Sequence, residues 1–135
     1  MSTAEIIAAL EREANAQAAA HAADVAAFHR RERLRRMEIL LRDFRDEAEA
    51  RGDLGRLGGL GVSLGVVDDG HIVFRQGERM FDIIACETLS VVAGGVLVRP
   101  NPDCPVLDQR CYDEIMGLVF GWANMSSRQR LGRNG

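Results

Sequence analysis

Between Ala4 and Arg51 the chain contains neither proline nor glycine, and no other feature limits its fold as much. Those two residues are the ones that end or break helices. A run of this length, rich in Ala, Leu, Arg and Glu, predicts helix. Ser2-Thr3-Ala4-Glu5 opens it with a capping-box pattern, and Gly52 stands where a left-handed residue closes a helix. Glu32–Arg36, Glu38–Arg42 and Glu47–Arg51 are four apart with the acid first, which adds small increments of helix stability.

The phase of the apolar residues divides this run. Ile7, Leu10, Ala14, Ala18, His21, Val25 and Phe28 form one stripe, and Leu34, Met37, Leu40, Leu41, Phe44 and Ala48 form another. At about 100° per residue the two stripes point roughly 150° apart. They cannot face one core from one straight helix. Either the chain breaks near His29–Arg33 into a helical hairpin, or one helix serves two partners. The second stripe has bulky core formers and is expected to pack on the rest of the domain. The first is rich in alanine, which permits close helix–helix approach, so Ile7, Leu10, Ala14, Ala18, Val25 and Phe28 are expected to form an oligomer interface.

After a glycine-rich joint at 52–61 the signals turn to strand. Val62 to Val67 precedes the tight turn Asp68-Asp69-Gly70, and His71 to Arg75, Met80 to Cys86 and Val91 to Val98 follow. Turns this short force antiparallel neighbours. Arg99 to Pro105 breaks the chain, and a closing helix begins near Leu107 or Asp108. Its stripe of Leu107, Cys111, Ile115, Leu118, Val119 and Trp122 is wide, and Gly117 and Gly121 leave room for another backbone. The expected fold is α+β. It has a long N-terminal helix or helical hairpin (1–51), an antiparallel meander of three to four strands with a C-terminal helix packed on it (62–125), and a flexible basic tail (126–135).

Composition narrows the chemistry. A chain of 135 residues is one domain's worth of polypeptide, and only seven residues are aromatic. A core so modest is often supplemented by an oligomeric interface. All 17 basic residues are arginine, which excludes a Walker P-loop, a Schiff-base lysine and a kinase Lys–Glu pair. The net charge of −3 argues against whole-surface attraction to nucleic acid. With three cysteines, no basic-then-apolar leader and no apolar run of roughly 20 residues, a reduced cytoplasmic setting without membrane contact is expected.

Individual constellations fall short of a named reaction. Gly59-Leu60-Gly61-Val62-Ser63-Leu64-Gly65 places its third glycine one position late for a dinucleotide fingerprint, and it leads into a strand. His21, Asp24, His29 and Glu32 do not share one helix face. Cys104 and Cys111 lack a second ligand pair for zinc. Cys86 or Cys104 with His71 has no accompanying oxyanion motif. No catalytic residue, metal or organic cofactor is therefore expected.

The sharpest charge feature is Arg30, Arg31, Arg33, Arg35 and Arg36. At helical pitch these side chains surround the axis, and no aromatic platform accompanies them, so a nucleic-acid reading is not favoured. They are the expected contact for a protein partner, an acidic surface being the natural match. The functional expectation is a non-enzymatic, homo-oligomeric protein-binding module, a regulator or inhibitor from a bacterium or phage that masks a partner surface. The alternatives are a structural subunit of a larger phage-like assembly and an arginine-dependent nucleic-acid binder.

Overall fold

In the computed structural model the backbone is described for residues 2–134 and the side chains for residues 2–125. The chain forms two compact units, Met1–Glu32 and Arg33–Gly135. The first helix, α1 (Thr3–Ala50), is helical throughout, with no turn at His29–Arg33, so the hairpin alternative is not adopted. Its start is the capping box that the sequence shows: Glu5 N–H donates to Ser2 Oγ at 3.2 Å and Ser2 N donates to Glu5 Oε2 at 3.2 Å. It ends at Gly52, whose φ of 77° places it in the left-handed region.

Residues 52–61 were expected as a joint, and here the structure differs. Asp53–Gly59 is a short helix, α2. Leu54, Leu57 and Leu60 recur every third residue, so one helical turn sends all three toward the core, where Leu57 is buried. Packing outweighs the low helix propensity of the glycines.

The sheet follows as β1 (Val62–Asp68), β2 (His71–Gln76), β3 (Arg79–Cys86), β4 (Ser90–Ala93) and β5 (Val96–Val98), paired antiparallel in sequence order. The expected fourth strand, 91–98, is in fact two. Gly94 and Gly95 both take positive φ, 57° and 84°, and turn the chain back so that Ala93 pairs with Val96. A two-residue loop with both φ positive matches the right-handed twist of a hairpin, and glycine adopts it at little cost. Gly94 is also sterically fixed, because a Cβ there would lie 2.2 Å from Cε2 of Phe81.

One sheet face makes the core. Phe74 pairs with Phe81, Ile72 with Ile83, and Ile83 with Ala93, all buried. The last helix, α3 (Gln109–Asn134), begins after Asp108, whose carboxylate accepts a hydrogen bond from the Cys111 N–H at 2.8 Å as an N-cap. Cys111, Ile115, Met116, Val119 and Ala123 lie in the core with Met37, Leu40, Leu41, Phe44 and Ala48 of α1. The second α1 stripe therefore belongs to the fold, as expected. The segment expected as a basic tail has helical backbone as far as Asn134, and its side chains lie outside the described residues.

Two polar groups join elements inside this unit. Gln76 is buried and donates through Nε2 to Leu60 O at 2.9 Å and Ala123 O at 3.4 Å, while its Oε1 accepts from Arg79 Nη1 at 3.0 Å. The Asp53 carboxylate, 7% exposed, accepts from the Tyr112 hydroxyl and from Arg56 Nη1. A buried charge needs such partners to be tolerated.

Candidate functional site: an exposed helical seam

The unit Met1–Glu32 carries an apolar stripe with no core to enter. Leu10 is 60% exposed, Phe28 52%, Ile7 50% and Val25 40%. Ala14 and Ala18 between them are exposed as well, and Ala27 alone among residues 2–32 is even half-buried. Helical periodicity brings these positions onto one side because residues three and four apart are neighbours. Single exposed leucines are ordinary; here several large apolar side chains are exposed along one side of the helix. The predicted interface residues are thus brought together as one continuous seam. The Phe28 ring meets His29 edge-on at 5.8 Å.

The five predicted contact arginines are not one site. Arg30 and Arg31 are exposed on the first unit. In the second unit Arg33 donates through Nε to Glu87 O at 2.8 Å, in the turn between β3 and β4, and so belongs to the fold. Arg35 lies 3.5 Å from Glu38. Arg36 lines an apolar hollow of about 220 Å³ with Ile39, Leu40, Asp43, Pro105 and Val106. Helical pitch alone, at about 100° per residue, imposes this dispersal.

The second unit also holds two wider grooves, the second of them at the glycines that the sequence marks as room for another backbone. One, of about 500 Å³, lies between Leu34 and Glu38 of α1 and Asp68, Asp69, His71 and Ile84 of the sheet. His71 Nε2 sits 2.7 Å from Asp82 Oδ1 on that outer sheet face. This pair holds the ring in place, and neither His71 nor Cys86 has the other as a hydrogen-bond partner; the Cys86 thiol instead faces Ile84 O at 3.7 Å. The other groove, of about 730 Å³, runs past Met80, Ile84 and Val92 to Gly117, Gly121 and Trp122 of α3. Its open helix face is the one that Gly117 and Gly121 leave bare, and nothing lies within 4 Å of a Cβ built at either position.

Burial raises the Cys111 thiol to about 11, with the Asp108 charge adding to the effect. Its side chain packs in the core with Ile115 and Val119. Among the described residues no group of three or more His, Cys, Asp or Glu side chains is placed to hold a metal ion. No helix among them is long and apolar enough to cross a membrane. Comparison of the chain with protein-family models, with curated proteins and with solved structures finds no match.

Proposed function

We propose that this protein is a non-enzymatic, self-associating binding module whose copies join through the stripe Ile7, Leu10, Ala14, Ala18, Val25 and Phe28. The observation that supports the reading is the exposure of that stripe along a capped, uninterrupted helix. Covering it is favourable at about 25 cal/mol per Å² of apolar surface, and a second copy is the occupant always at hand. Arg30 and Arg31, exposed at one end of the same unit, supply contacts for an acidic protein partner. In this role the protein is a cytoplasmic regulator or inhibitor, of bacterial or phage origin, that masks a partner surface. A structural subunit of a larger assembly would use the same seam, and the measured mass separates a discrete oligomer from an open one.

Two double variants test the reading. Ala14→Glu with Ala18→Glu places charge in the seam, so light scattering is expected to show a smaller species while the thermal melt of the domain is retained. Leu41→Ala with Phe44→Ala removes buried side chains, at about 2–5 kcal/mol each, and is expected to unfold the domain. If the alanine-to-glutamate pair melts the protein without changing its mass, the stripe is not a self-association surface.

A further inference from the structure

We propose that the stretch of α1 from Arg35 to Arg45 forms a binding site for a small organic acid, one apolar group joined to a single carboxylate. Two hollows meet on this stretch, and Ile39 lines both. The apolar one, of about 220 Å³, has Leu40, Pro105 and Val106 in its wall. The other, of about 100 Å³, is lined by Arg35, Arg42 and Arg45 and, from the turn between β1 and β2, by Asp69. Positions 35, 39, 42 and 45 are three or four residues apart, so the helix sets them side by side. The site lies wholly in the second unit and does not depend on the seam.

Charge in these hollows does not cancel. Their walls carry four guanidinium groups against three carboxylates, those of Glu38, Asp43 and Asp69. Arg35 lies 3.5 Å from Glu38, and Arg42 lies 3.6 Å from Asp43. Arg36 and Asp69 are exposed, so water solvates them. Arg45 differs. It is half-buried, its Nε is buried without a hydrogen-bond partner, and among the described residues no ion pair includes it. A guanidinium withdrawn from water and left unpaired is costly, and an anion close by offsets that cost. Nε is closed to a ligand as it is to solvent, so the contact falls to the Nη groups of the same delocalised cation. Their planar N–H donors match a carboxylate.

Size and charge together select the ligand class. The polar hollow has the volume of about three water molecules, room for a carboxylate and little more. One uncancelled positive charge matches one negative charge, whereas a doubly charged phosphate would overcompensate it and be repelled by Glu38 and Asp69. The apolar hollow, across the Ile39 side chain, takes a branched aliphatic group. A ligand lying over Ile39 thus fills both, and the apolar part adds burial that the bare anion lacks.

Three probes test the site on the isotope-labelled full chain at constant ionic strength: isocaproate, its neutral amide, and acetate. Nuclear magnetic resonance follows the Arg45 Nε–H and the methyl groups of Ile39 and Val106. Isocaproate is expected to shift all three sets saturably and to bind about tenfold more tightly than the amide or acetate. Arg45→Met keeps the aliphatic stem and removes the charge, so acid and amide are expected to bind alike. Its thermal midpoint is expected to stay at the wild-type value, because the lost charge has no partner in the fold. Asp69→Asn removes an opposing charge and is expected to tighten isocaproate about threefold while leaving the amide unchanged. Equal binding of acid and amide by the wild type, or the absence of any saturable shift, would overturn the proposal. So would an Arg45→Met chain that keeps its preference for the acid, or one that melts lower because the fold itself uses that charge.

Discussion

Tyr112 and Asp53 show how much a single contact contributes where a short helix meets a long one. The tyrosine hydroxyl donates to a carboxylate that is almost fully buried, and its ring lies 5.4 Å from Phe44 and beneath the Arg51 guanidinium at 4.2 Å. Tyr112→Phe keeps the packing and removes the donor, so a loss of about 1.5–3 kcal/mol is expected, as for hydrogen bonds to charged groups; denaturant unfolding measures it. Alkaline pH probes the same corner. Burial, then the hydrogen bond to Asp53, holds the Tyr112 hydroxyl above its usual 10.0, and burial raises Cys111 from 9.0 to about 11. Both folded values exceed the unfolded ones, so the native state retains protons that the unfolded chain releases. Stability is therefore complete below pH 9 and declines as pH rises through about 11. The denaturant midpoint is expected to fall across that window. Cys111→Ala should remove the part of the decline that starts near 9, where the unfolded thiol ionises, and Tyr112→Phe the part that starts near 10.

The hairpin of β4 and β5 depends on Gly94 for two separate reasons, a left-handed φ and the Phe81 ring against it. Gly94→Ala is expected to cost about 2–4 kcal/mol, combining left-handed strain with overpacking, whereas Gly95→Ala meets only the backbone term; paired thermal melts compare them. That hairpin was visible in the sequence as two glycines between short apolar runs, yet the run 91–98 reads as one strand when its apolar content is weighed above its turn signal. The long helix was legible because capping box, propensity and closing glycine agree. Its second stripe was legible as core because Met37, Leu40, Leu41 and Phe44 are bulky and periodic. The short helix α2 was hidden by its glycines, since its leucines order it only through tertiary contact with a core that local sequence does not display. The dispersal of the five arginines followed from pitch, but the hydrogen bond of Arg33 to the Glu87 carbonyl, 54 residues on, joins segments that no local pattern connects.

Among the described residues the hydrophobic core lies within the unit from Arg33 onward, and the stripe of the unit Met1–Glu32 is exposed. The domain from Arg33 onward contains the sheet, its packed helices and its satisfied buried polar pairs, while the unit Met1–Glu32 contributes no residue to the core. A capped helix that spends its alanines and large apolar residues on an exposed seam is accounted for if the seam is an interface between copies. Arg30 and Arg31 are exposed in the same unit. The most direct measurement is the mass of the full-length wild-type protein by sedimentation equilibrium over a wide concentration range at physiological salt. A discrete dimer that dissociates only on dilution is the predicted result, and a monomer persisting at the highest concentration would contradict the account.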